Sequence, residues 1–342
     1  MTAERRTRAV AVGAVVLIAV AGLLWAKWAP YAGKALALGA GHPWQGDDIL
    51  RTGGVRPGDP PTWSAAWSFA VAYGAAIWKA LLVALLLGAA VPVLLPPSWP
   101  RRLLNGGGRF RDAVAGAVSG TPTMMCTCCT APVATSLRRG GASTSASVAY
   151  WLANPLLNPA VLLFLAFLAP WQWTATRLVA GVAITLAAAT LAARVTSRTV
   201  PAGPPEDPVY APGVVPYLRA LLRLAVVLIP EYAVVVLLLG GFRGWLLPLV
   251  DGAHTGPLVV VAAAVAGTLL VIPTAGEIPI LLALATLGLS TGVIGALLVT
   301  LPAVSLPGIA MVIRSLGTRA TAVTAGVTIL GGVLSGALLT VL

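Results

Sequence analysis

Long apolar runs of about twenty residues alternate with short stretches of arginine, glycine and proline along nearly the whole chain. At 1.5 Å per residue, a helical run of that length matches the ~30 Å hydrocarbon layer of a bilayer. The first run covers about 9–28 and follows Arg5, Arg6 and Arg8. Basic-then-apolar also describes a signal peptide. No clear small-residue cleavage site follows and further runs come later, so an uncleaved first helix is expected. A polar loop rich in Gly and Pro is expected over 30–62. Further runs cover about 64–95, 144–168, 174–193, 217–239, 291–313 and 320–342.

Two other runs differ in kind. Residues 113–137 and 257–289 are apolar but interrupted, the first at Cys126-Thr-Cys-Cys-Thr-Ala-Pro132 and the second at Pro273-Thr-Ala-Gly-Glu-Ile-Pro279. At an offset of 147, Pro132 falls on Pro279, Gly141 on Gly288, Ser143 on Ser290, Thr144 on Thr291 and Pro155 on Pro302. Each half then reads span, interrupted segment, span, span. The expected organisation is an N-terminal helix and extracytoplasmic loop (1–63), a first repeat (64–193), a Pro-rich cytoplasmic linker (194–216) and a second repeat (217–342).

Charge placement orients the halves. Suppose both interrupted segments are re-entrant hairpins and the N-terminus is inside. The Arg-bearing turns at 5–8, 101–111, 138–139, 194–198, 219–223 and 314–319 are then all cytoplasmic, as the positive-inside rule asks. If each segment crosses fully, the chain has nine spans, and the 138–139 turn and the linker fall outside. The expected fold class is an all-α polytopic membrane protein, an inverted-topology repeat with about seven full spans plus two hairpins; nine spans is the alternative. The N-terminus is expected to be cytoplasmic. Broken segments meeting at the midplane are a recurrent transporter plan. Non-helical backbone at that depth is tolerated where it is buried or lines a cavity.

Composition agrees. Hydrophobic residues make up 58% and charged residues 9%, with a mean hydropathy of +0.92, too few charges for a soluble globular domain. Short alternating strands, the mark of a membrane β-barrel, are absent from the pattern. The net charge of +12 sits in loops beside apolar spans, so nucleic acid is not an expected partner. The expected partners are a small-molecule or metal or metalloid substrate and the lipid bilayer. No cofactor is expected, and there is no Walker-type phosphate loop.

Few residues are left to carry chemistry. All three cysteines, Cys126, Cys128 and Cys129, lie in the first interruption. Thiolates are soft ligands for thiophilic metals and, in the same sense, trivalent arsenic. On an unwound strand Cys126 and Cys128 point to one side and Cys129 elsewhere, unless a turn brings it round. Cysteine is also a small packing residue. Glu277 occupies the repeat position of Thr130, and a carboxylate at bilayer depth costs ~2.5–3.5 kcal/mol unless paired or facing a cavity. Glu277 suits binding of a proton, a coupling cation or a cationic substrate, or capping of a broken helix. Lys79 and Glu231, near the centres of counterpart spans, are candidates for an ion pair or a proton path. Asn154 and Asn158 share a helical face, each followed by proline, and either line a cavity or bond between helices. Thr127, Thr130 and Gly276 complete the candidate substrate-binding set.

The stretch Thr121-Pro-Thr-Met-Met-Cys-Thr-Cys-Cys-Thr-Ala-Pro132, with Arg138-Arg-Gly-Gly-Ala-Ser143, Asn154-Pro-Leu-Leu-Asn-Pro159, Gly276-Glu-Ile-Pro279 and Thr300-Leu-Pro302, resembles the bacterial permease family known as domain of unknown function 318. That family includes the organoarsenical efflux permeases. The resemblance covers most of 64–342. It implies a plasma-membrane permease, in some members exporting trivalent organoarsenicals or metal ions, with a thiol role for the three cysteines. The expected function is efflux of a thiophilic substrate through a midplane site between the repeats. The alternatives are a membrane thiol oxidoreductase and a structural membrane subunit.

Overall fold

The computed structural model describes residues 3–43, 49–95, 102–196, 212–250, 256–286 and 288–342. The expected roles of Arg101, of Arg198 and most of the linker, and of the loop around His254 lie outside these residues. Every regular element among the described residues is helical. Six helices are long and apolar enough to cross a membrane, and a seventh forms if one pair bent by 53° counts as a single span.

The first helix runs further than its sequence pattern predicts. Helix α1 (Ala3–Leu23) widens into π geometry over Leu24–Trp28 and continues as α2 (Ala29–Gly39). A proline inside an α-helix removes a hydrogen bond and clashes with the carbonyl four residues back. The wide turn just before Pro30 relieves both, so residues 30–39, expected in a loop, remain helical. π turns of this kind are frequent at functional sites. The extended span covers Ala9–Gly39.

The first repeat holds α3 (Trp63–Leu94), α4 (Arg109–Gly120), α5 (Thr127–Arg139), α6 (Thr144–Leu156), α7 (Pro159–Leu168) and α8 (Trp171–Val195). The second holds α9 (Val214–Val250), α10 (Pro257–Leu269), α11 (Glu277–Thr286), α12 (Thr291–Ala303), α13 (Leu306–Leu316) and α14 (Thr318–Val341). Helices α4, α6 and α8 pack on one another, and so do α10, α12 and α14. The halves join through counterpart helices, α3 on α9 and α8 on α14.

The 147-residue offset recurs in local geometry. Ser143 and Ser290 are both N-caps, each accepting from the backbone N–H three residues on. Gly141 and Gly288 both hold positive φ, 100° and 81°, which favours glycine. Gly120 lies against Tyr150 and Asn154 of α6, and Gly267 against Leu297 and Thr300 of α12.

Both interruptions are hairpins. Helices α4 and α5, at 12 and 13 residues, are each ~18–20 Å long and cannot cross a ~30 Å core. The chain entering α4 is bonded to the chain leaving α5: Ser143 N–H donates to Leu104 O at 2.9 Å and Asn105 Nδ2 to Gly141 O at 3.1 Å. In the second hairpin, Val260 near the start of α10 packs against Gly292 at the start of α12, the helix that follows α11. The first hairpin's open end carries Arg102, Arg109, Arg111, Arg138 and Arg139, which fits a cytoplasmic face.

Candidate substrate site

The chain breaks between α4 and α5 because Pro122 and a left-handed Met124 stop one helix before Cys126 starts the next. Met124 has φ 51°, and Ala275 in the second break has φ 67°. These are the positive-φ residues other than glycine among those described. Such conformations are uncommon outside glycine and cluster at ligand sites.

Cys126 is the extended N-cap of α5, at φ −76° and ψ 164°, and Cys128 and Cys129 lie in its first turn. That turn brings Cys129 round. Cys126 Sγ lies 3.0 Å from Cys128 Sγ and 3.1 Å from Cys129 Sγ, and all three sulfurs fall within 4.8 Å of one another. The thiols are free and buried. The first-turn N–H groups of α5, the positive end of its dipole, lie beside them. Tyr73 Oη of α3 is 3.2 Å from Cys128 Sγ. Tyr232 of α9 packs its ring 6.1 Å from that of Tyr73, with its buried hydroxyl close to Cys128.

The other predicted residues are used in different ways. Thr127 Oγ1 donates to Ala303 O at 2.9 Å, tying the first break to the second repeat. Thr130 Oγ1 donates to Thr127 O at 3.0 Å. Asn154 Oδ1 accepts from Met125 N–H at 3.2 Å and from Thr123 Oγ1, so this amide holds the break open. Asn158 caps α7 by accepting from Ala160 and Val161 N–H. Among the described residues its buried Nδ2 has no partner, nor does Ser305 Oγ at the corresponding place in the second repeat. Gly276 forms the tight turn of the second break, its N–H donating to Pro273 O at 2.9 Å.

Glu277 meets a partner that the sequence reading did not single out. Arg177 Nη2 of α8 lies 2.7 Å from Glu277 Oε1, with both side chains buried. Arg177 also donates to Pro155 O, Leu156 O and Leu298 O. The expected pairing of Lys79 with Glu231 does not form. Glu231 lies 3.6 Å from Arg314, while Lys79 lies over the rings of Trp25 and Trp78. Tyr73 and Tyr232 occupy the contact between α3 and α9. Lys79, six residues past Tyr73, is turned well round its helix by the ~100° step per residue.

Sequence reading also passed over Lys27. With the first run ending near residue 28, a lysine there reads as an interfacial snorkel. Because the helix continues to Gly39, Lys27 lies deep in the span and is 6% exposed. Its ammonium donates to Thr274 Oγ1 in the second break at 3.0 Å and to Tyr31 Oη at 3.2 Å. It is close enough to Cys126 and Cys129 to interact with them electrostatically. Next to it, Trp28 Nε1 donates to Pro122 O in the first break at 2.8 Å. The first helix thus touches both breaks. A cavity of about 660 Å³ lies between this helix, α3 and the second break, lined by Lys27, Tyr31, Ile77, Lys79, Thr274 and Gly276 among others.

Comparison with known proteins places this geometry in context. Residues 62–206 match a family model described as a predicted permease. The UPF0718 protein YraQ of Escherichia coli (strain K12) is 41% identical over 327 residues, 94% of this chain and 92% of the relative. No solved structure matches the chain.

Proposed function

The chain belongs to the predicted-permease family of the UPF0718 proteins, and from that premise we propose that it exports a thiophilic solute, such as a trivalent organoarsenical or a soft metal ion, with the three cysteines as ligands. It is a multi-pass membrane permease. Under the same proposal, the family resemblance supports a plasma (inner) membrane location and the charge pattern supports a cytoplasmic N-terminus.

The observation that carries the proposal is the convergence of three free, buried sulfurs at the broken start of α5. A soft centre prefers sulfur to oxygen. A trivalent organoarsenical has two exchangeable hydroxyls, and each thiol that binds releases one water and forms one As–S bond. Cys126 lies against both other sulfurs, so it is the shared ligand, with Cys128 or Cys129 completing the pair. Asn154 holds the first break in shape, and Glu277 with Arg177 braces the second. Export requires the two halves to shift around the breaks, as in other transporters built from repeats.

The test is resistance. Cells expressing the protein are challenged with trivalent arsenicals, antimonials, copper and zinc, alongside Cys126→Ser, Cys128→Ser and Cys129→Ser. Protection lost with Cys126→Ser supports thiol ligation. Equal protection by all three variants, present in the membrane at wild-type levels, sinks it.

A further inference from the structure

We infer that the cavity beside the second break is an anion site, and that the cargo is a thiophilic species carrying negative charge. The inference rests on the thiol reading above for the soft centre, and on the cavity alone for the charge. Lys27, Lys34 and Lys79 line it, and no Asp or Glu is among its described lining residues.

Lys27 is the decisive group. It is nearly fully buried, and burying an ammonium without a counter-charge is costly. Its hydrogen-bond partners, Thr274 Oγ1 and Tyr31 Oη, are neutral hydroxyls. An ammonium has three N–H donors, so one is left over by its partners among the described residues. The adjacent thiols supply negative charge only when deprotonated, and formation of an As–S bond consumes that charge. With cargo bound through sulfur, Lys27 faces the cavity with no counter-ion among the described residues unless the cargo brings one.

Placement supports this. Lys27 lines the cavity, whereas the three thiols are buried behind it and do not line it; a molecule with its charge on the ammonium therefore reaches the thiols once the break opens. Lys79, on the facing wall, adds charge of the same sign. At about 660 Å³ the cavity is of a size that takes small organic ligands. A bare metal cation is disfavoured by both lysines.

The experiment is a charge series on one soft group, titrated calorimetrically into the purified full chain. The probes are 4-carboxyphenylarsonous acid (anionic), phenylarsonous acid (neutral) and 4-(aminomethyl)phenylarsonous acid (cationic), with benzoate as an anion lacking arsenic. The anionic arsenical is expected to bind about tenfold tighter than the neutral one, the scale of one modest charge contact, and the cationic one weakest. Lys27→Gln should bring the three affinities together, whatever happens to their absolute values, and Lys27→Arg should restore their order. Equal affinities in the wild type, or a preference for the cationic probe, overturn the anion site and leave the thiol reading standing. Benzoate binding that depends on Lys27, with no arsenical bound, keeps the anion site and removes the thiol reading. No binding of any probe overturns both.

Discussion

Breaking the buried pair between Arg177 and Glu277 separates a brace from a working carboxylate. The contact is 2.7 Å with both side chains buried, so neither group falls back on water when the other is removed. The two sides are unequal. Arg177 has three further acceptors in Pro155, Leu156 and Leu298, whereas no other hydrogen bond or ion pair of the Glu277 side chain is found among the described residues. Glu277→Gln keeps an oxygen facing the guanidinium and trades a charged hydrogen bond for a weaker one, a loss of about 1.5–3 kcal/mol. Arg177→Met leaves a carboxylate buried without its partner, which costs about 3–5 kcal/mol, and also strips three carbonyls. Arg177→Met should therefore be the more destabilised by about 2 kcal/mol, roughly 30-fold in the unfolding equilibrium. Unfolding in mixed micelles, followed by tryptophan fluorescence, measures the difference. Arg177→Met combined with Glu277→Met should recover part of the loss, because the orphaned charge is gone. Equal or reversed costs for the single variants refute the brace. If Glu277→Gln is as stable as wild type yet fails to transport, the carboxylate acts on cargo or proton.

Three further outcomes follow from local geometry. Asn154→Ala removes the acceptor shared by Thr123 and Met125; it should cost about 1–3 kcal/mol and speed maleimide labelling of Cys126, while Asn154→Asp keeps much of the acceptor role. A Cβ on Gly116 would lie 2.2 Å from the backbone oxygen of Ala146, while one on Gly13 meets nothing within 4 Å. Gly116→Ala should therefore lower the unfolding midpoint, an overpacking cost of about 1–3 kcal/mol, and Gly13→Ala should leave it unchanged or raise it. Trp28→Phe deletes the bond to Pro122 O at a cost of about 1 kcal/mol, and increased proteolysis of the first helix in micelles would report its release from the break.

The repeat shows how far local signals reach. Ser143 and Ser290, or Gly141 and Gly288, are legible because a cap or a left-handed turn is decided by a few neighbouring residues. The hairpins were legible for a similar reason, since arginine placement restricts which ends share a side. The end of the first helix was not. Pro30 reads as a stop, and only the π turn before it lets the helix continue. That one error hid Lys27, because a lysine near a helix end snorkels and a lysine in mid-span does not.

By itself the sequence determined that this is a helical membrane protein of two related halves, with three thiols in one interruption and a carboxylate in the other. Those features depend on run length, charge placement and internal similarity, all readable along the chain. Tertiary structure decided which groups meet. It gathered Cys129 with the other sulfurs, gave Glu277 to Arg177 rather than to open space, kept Lys79 from Glu231, and set Lys27 between the breaks. Arg177 with Glu277 and Lys27 with Thr274 join residues 100 or more positions apart, whereas the sulfurs are gathered locally by the first turn of α5. Which face each helix turns inward depends on the packing of the whole bundle, and no local pattern encodes it.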